Sequence, residues 1–279
     1  MRTLGKPDDT PSAVFRLCIS KVKNRDLKRR LTSVEPIVVK TSEDYNIAAE
    51  SAALHTFPRS ADVGLITRDE MIDVYVGRMV PETQPGRVVY DRLMNAPALG
   101  RCPLCGVGLV KTLDHHLPKT QYTALSVTPT NLIPSCYWCQ FSKRQGYPTT
   151  AGEQTLHPYY DDFTNDRWLR AEVIETRPAS FVFSVDPPNG WTEETANRLR
   201  SHMKTFCLYD LYSSNAGSEL RNMHYRLNEL FIDGGPGSVR THLLEEAATR
   251  RAANLNSWET ATYNAAAASD WFCDRGFEL

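Results

Sequence analysis

Residues 101–144 read RCPLCGVGLVKTLDHHLPKTQYTALSVTPTNLIPSCYWCQFSKR, and the fold turns on this stretch. It opens with Cys102 and Cys105 in one C-x-x-C turn and closes with Cys136 and Cys139 in a second. Zinc takes four thiolates in a tetrahedron, and two such turns supply them. The spacer of 30 residues between Cys105 and Cys136 exceeds the ~15–20 of a plain zinc ribbon. The excess holds a strand-like run over 110–116, a loop, and a second run over 131–136 that leads into a helix over 137–145. The prediction is a ββα unit inserted between two knuckles. A unit of about 45 residues buries too little surface to fold alone, so structural Zn²⁺ on the four cysteines is the expected cofactor.

Between the knuckles lies Asp114-His115-His116-Leu117-Pro118. A carboxylate such as Asp114 suits Mg²⁺ or Mn²⁺, and a neutral imidazole such as His115 can take a proton from water near neutral pH. Adjacent side chains in a strand point to opposite faces. Asp114 and His115 can therefore meet over one phosphate only if the strand ends or bulges here, and Pro118 marks that end. His116 is expected to pack or hydrogen-bond.

The pattern C-x-x-C, D-H-x-x-P, N-L, C-x-x-C, x-x-x-K, from Cys102 to Lys143, resembles the HNH (His-Me finger, ββα-metal) endonucleases of the four-cysteine subtype. The resemblance implies that His115 is the general base, that Asp114 binds a catalytic Mg²⁺ or Mn²⁺, and that Asn131 orders the loop holding His115. It implies a second metal ligand after the last cysteine, usually Asn or His. Here that residue is Gln140, one methylene longer than Asn. It also implies that Lys143 contacts phosphate. Lys119, Arg144 and His157 are further candidate substrate contacts. LDHHLPK, NLIPSC, the trailing HPYYDD and a helical N-terminal arm look, more loosely, like PtuB-like HNH nucleases of anti-phage defence operons. That likeness implies an ATPase partner. The expected function is metal-dependent hydrolysis of nucleic-acid phosphodiesters, DNA foremost, with RNA such as tRNA open. The rival reading is a non-catalytic zinc module that binds nucleic acid or protein.

Composition fits a soluble globular protein: 41% apolar and 23% charged residues. The net charge of −1 gives no global argument for a polyanionic partner. Locally, however, residues 101–147 carry five basic side chains (Arg101, Lys111, Lys119, Lys143, Arg144) against Asp114 alone. The N-terminus lacks the apolar core of a secretory signal, and no apolar run approaches ~18 residues, so a cytoplasmic protein with no membrane span is expected.

The expected fold class is α+β, mostly helical, with a zinc-stapled ββα-metal core over 98–162 between a helical region over 1–97 and a β-hairpin plus helices over 163–279. Thr10-Pro11 predicts a helix start, and Pro36 predicts a break or kink in it. A second helix is expected over 43–54. Thr67 and Glu70 form a predicted capping box, and a helix over 87–96 should bury Val88, Val89, Leu93 and Met94. Six basic residues in 21–30 read as a solvated face or a nucleic-acid arm. Strands are predicted at 168–175 and 180–186. Helices are predicted at 192–212, 217–231, 239–253 and 257–272, with a break at Gly234–Gly237. Cys18, Cys207 and Cys273 read as buried hydrophobes.

Overall fold

A computed structural model describes residues 2–279. The chain is 55% helix and 9% strand, an α+β protein that is mostly helical. It divides into two compact units, the first ending at Asp161 and the second running Asp162–Leu279. No helix among the described residues is long and apolar enough to cross a membrane.

In the first unit, α1 (Pro11–Ile19) starts where Thr10 accepts a hydrogen bond from the Ala13 N–H. The chain breaks after it, and Asn24 caps α2 (Arg25–Glu50) by accepting from Leu27 N–H. Pro36 lies inside α2, so the helix is not broken there. Proline removes one intrahelical bond, at a cost of ~3 kcal/mol. Helices in proteins are held mainly by a packed face, and Leu31, Val34, Val38, Tyr45 and Ala49 supply one on α2. Glu35 ties the two helices, accepting from Ser12 Oγ at 2.8 Å and Arg16 Nε at 2.6 Å.

The capping box at Thr67 opens α3 (Arg68–Val76). In α4 (Arg87–Asn95), Val89, Tyr90 and Leu93 are buried, but Val88 is 54% exposed, against expectation. The basic run is largely engaged within the fold: Lys28 Nζ donates to the Ile19 carbonyl, Lys21 Nζ to the Thr83 carbonyl, and Arg30 forks onto Glu70.

Strands β1 (Thr112–His115) and β2 (Leu132–Ser135) pair antiparallel, with Asp114 opposite Ile133 and His115 opposite Leu132. Helix α5 (Tyr137–Lys143) follows at once. Leu113 and Leu132 belong to the same core as Val14, Leu31, Val34, Met71, Val74, Val89 and Leu93. Residues 2–97 and the ββα segment thus lie in one compact unit, and the expected boundary at 97/98 is not a boundary between compact units.

In the second unit, β3 (Leu169–Ile174) and β4 (Ser180–Val185) form the predicted hairpin, with Val173 opposite Phe181. Helix α6 (Glu193–Thr205) ends earlier than predicted because Cys207 adopts φ 51°, ψ 42°. Cys207 is exposed, not buried. Helix α7 (Leu208–Ala253) then runs through the predicted gap at Ser213–Ala216, since Ala216, Leu220, Met223 and Leu227 form a buried stripe. Its backbone leaves the helix at Gly235 (φ 67°, ψ −163°), at the expected Gly-Gly-Pro-Gly break. Helix α8 (Trp258–Ala268) completes the unit.

Candidate metal centre and adjoining acid–base cluster

The knuckle loops force four thiols together. Gly106 sits at φ +72°, a region open to glycine, and a Cβ on Gly108 would lie 2.7 Å from Cys136 Sγ. The Val107 and Gly108 N–H groups both donate to Cys105 Sγ, at 3.4 and 3.3 Å. Cys136 caps α5 and Cys139 lies in its first turn. The sulfurs of Cys102, Cys105, Cys136 and Cys139 all fall within 4.8 Å of one another, all four residues are buried, and none is in a disulfide. Cys105 and Cys136 sulfurs are 3.8 Å apart. A tetrahedron of thiolates at ~2.3 Å from Zn²⁺ has edges of about 3.8 Å. Donor type, spacing and burial therefore fit a structural zinc ion. Among the described residues this is the one cluster of three or more His, Cys, Asp or Glu ligands.

The chemistry-bearing residues sit at the end of β1. The pleat places Thr112 and Asp114 on one face, and α5 covers that face. Gln140 Nε2 donates to Thr112 Oγ1 at 3.4 Å, and Lys143 Nζ lies 3.3 Å from Asp114 Oδ2. Lys143 also donates to the His115 carbonyl at 2.7 Å and is only 7% exposed. It clamps strand to helix beside Asp114. Burial raises the Asp114 carboxyl pKa, and the charges of Lys143 and Lys119 oppose that rise.

His115 packs on the opposite side. Tyr75 of α3 meets its ring edge-on at 4.5 Å and donates its hydroxyl to the Leu113 carbonyl. His115 Nε2 lies 2.9 Å from the Ser126 carbonyl. A carbonyl only accepts, so Nε2 carries the proton and Nδ1 keeps the lone pair. Burial, then repulsion from Lys119, lowers the His115 pKa to about 3, with the Ser126 bond opposing. The imidazole is thus neutral at pH 7, with its tautomer set. Asp114 and His115 both feel Lys119 and Lys143. Lys119 is half-buried, with its ammonium 5.5 Å over the Tyr75 ring, and burial lowers its pKa.

Asn131 is fully buried. Its Oδ1 accepts from Leu117 N–H at 2.8 Å, its Nδ2 donates to the Leu117 carbonyl at 3.0 Å, and its own carbonyl accepts from His116 N–H. These bonds turn the chain directly after His115. For a catalytic divalent ion, the protein supplies one carboxylate, Asp114, and the amide oxygen of Gln140 one turn of helix before Lys143. One carboxylate completed by water and substrate phosphate is within the usual donor set for Mg²⁺.

His157 does not line a rim. It is 2% exposed, its Nε2 is 2.9 Å from Tyr45 Oη, and its Nδ1 accepts from Tyr159 N–H. His116 stacks on it at 4.3 Å. Tyr159 and Tyr160 donate their hydroxyls to the Leu132 carbonyl and to Asn46 Oδ1, so the HPYYDD stretch braces β2 and α2. Arg144 is exposed, with its guanidinium 5.4 Å over the Phe141 ring. Two contributors escaped the sequence reading. Tyr75 lies 40 residues upstream on a helix with no chemical motif, and the Ser126 contact uses only backbone.

The chain is similar to protein ea31 of Escherichia phage lambda, at 27% identity over 231 residues, which span 79% of this chain and 78% of that protein. No family model matches the sequence, and no solved structure matches the fold.

Proposed function

We propose that this protein is a metal-dependent HNH-type endonuclease that hydrolyses nucleic-acid phosphodiester bonds, DNA foremost. The observation that carries the reading is the geometry of His115: its Nε2–H is held on the Ser126 carbonyl at 2.9 Å, so Nδ1 keeps its lone pair. His115 sits at the end of a strand that also bears Asp114, in a ββα unit clasped by four cysteines. Zn²⁺ on those cysteines would be structural. Asp114 and Gln140 would hold Mg²⁺ or Mn²⁺, which when bound stabilises negative charge on the phosphate and the leaving oxygen.

In this reading the protein's own residues divide the work as follows. Lys119, the most exposed member of the cluster, draws the scissile phosphate in. His115 Nδ1 takes a proton from water as the oxygen attacks phosphorus. The P–O3′ bond breaks, and the leaving O3′ takes a proton from solvent, giving a 3′ hydroxyl and a 5′ phosphate. Tyr75 and Asn131 hold the imidazole in place, and Lys143 holds Asp114.

The test is cleavage of plasmid DNA, and separately of total tRNA, with Mg²⁺ or Mn²⁺. His115→Ala should lower cleavage by about 10²–10⁴-fold with zinc content unchanged. Equal cleavage by the variant, or none by the native protein, refutes the proposal. The second outcome would favour the zinc module that binds without catalysis.

A further inference from the structure

Helix α5 turns Cys139 and Lys143 inward. Its outward face carries Tyr137, Trp138 and Phe141, exposed by 65%, 46% and 72%. Positions i, i+1 and i+4 share one side of a helix, and Arg144, just past its end, lays its guanidinium 5.4 Å over the Phe141 ring. Tyr137 and Phe141, the two most exposed, lie outside the core.

From this face we infer that the substrate presents unpaired nucleotides, whose bases stack on Phe141, Tyr137 and Trp138 while Arg144 meets the backbone; this rests on the nuclease reading of the adjoining cluster. Charge argues for nucleic acid over a protein partner. In residues 101–147 the sole acid, Asp114, is buried against Lys143, while Arg101, Lys111 and Arg144 are exposed. The exposed charge of this segment is therefore wholly positive. Exposed aromatics beside a cation, here Phe141 under the Arg144 guanidinium, are the composition that binds single strands: rings take base faces and cations take phosphates. In a duplex those faces are already stacked, so the rings find nothing flat to meet.

Backbone strain at Arg144 is a second, independent observation. Its φ is 54° and ψ −122°, the glycine-favoured corner of a II′ turn. The Gly146 N–H closes that turn onto the Lys143 carbonyl at 3.0 Å. A long cation sits where glycine would be easier, with its guanidinium against the Phe141 ring. Non-glycine residues in such regions cluster at binding sites. The aromatic face lies across the helix from Asp114, about one helix diameter or ~10–12 Å away. Bases flanking the scissile phosphate, not those beside it, would stack there.

The test uses full-length, zinc-loaded protein carrying His115→Ala, so that binding is read without cleavage. Fluorescence anisotropy follows short labelled DNA and RNA single strands of one sequence, and the DNA as a duplex. Phe141→Ala should weaken single-strand binding by roughly 5- to 150-fold, the loss of one stacked base. Phe141→Trp should restore it, and duplex affinity should stay within about twofold. The more tightly bound single strand identifies the sugar. An unchanged single-strand affinity in Phe141→Ala, or equal losses for single strand and duplex, overturns the inference. Cleavage by the protein with His115 intact is scored separately. Stacking without cleavage retains this inference and removes the enzyme; cleavage indifferent to Phe141 does the reverse.

Discussion

Arg144 allows strain and function to be separated by two substitutions at one position. With φ 54° and ψ −122°, any side chain there crowds its own backbone, by roughly 1–2 kcal/mol relative to glycine. Arg144→Ala keeps that strain and removes the guanidinium. Arg144→Gly removes both. The two variants should differ by about 1–2 kcal/mol in favour of glycine. In a unit of this size the difference amounts to about 2–8 °C in melting midpoint. An ordinary helix site behaves oppositely: Ser142→Gly, inside α5, should lose about 0.5 kcal/mol. Both Arg144 variants should bind single strands less tightly than the native protein, and their log affinity against log salt should flatten by about 0.7, one phosphate contact. Calorimetry of the zinc-loaded protein and a salt titration read the two effects. If alanine is as stable as glycine, the turn is not strained. If the salt slope does not move, Arg144 meets no phosphate.

Cys139 is fully buried among the other three thiols. Cys139→Ser should abolish stoichiometric zinc and cost more than about 3 kcal/mol, since structural zinc contributes on the order of 10–16 kcal/mol in peptides. Cys18→Ala, in the core away from the tetrad, should leave metal content intact by atomic absorption. Glu70 gives a pH signature. Its bonds from Arg30 and from Thr67 lower its pKa to about 2 from an ordinary 4.5. A depressed carboxylate pKa stabilises the fold above the unfolded value and loses that contribution as pH falls from about 4.5 to about 2. Glu70→Gln should therefore be less stable at pH 7 in urea titrations, with the gap to the native protein closing below pH 4.5. A constant gap across that range would count against the assigned bonds.

The knuckles, the two strands, the capping box and the hairpin were legible because each depends on residues close in sequence: paired cysteines, alternating apolar positions, Thr67 with Glu70. What was not legible depends on burial supplied from elsewhere. Pro36 reads as a break or kink, yet α2 continues because Leu31, Val34 and Val38 are gripped by a core that includes Leu113 and Leu132 from far along the chain. His157 reads as a rim ligand because it follows the motif, yet Tyr45, 112 residues upstream, claims its Nε2. Lys143 reads as a free cation until the register of β1 against α5 sets it on Asp114. Motif spacing shows which groups are present near the site. Only the packing shows which of them are already engaged.

That distinction bears most on α5. Seven residues are too few to hold a helix in water, so its order comes from its ends. Cys136 and Cys139 anchor the first turn, and Lys143 anchors the last on Asp114 and the His115 carbonyl. The same short helix thereby spans the thiol tetrad, the acid–base cluster and the outward aromatic face. Loosening the tetrad would free the first turn, let Lys143 drift and release Asp114, even though the nearest sulfur belongs to a different residue set. Zinc in this protein would then be structural in position but would govern both base placement and the aromatic face, because one rigid rod carries all three.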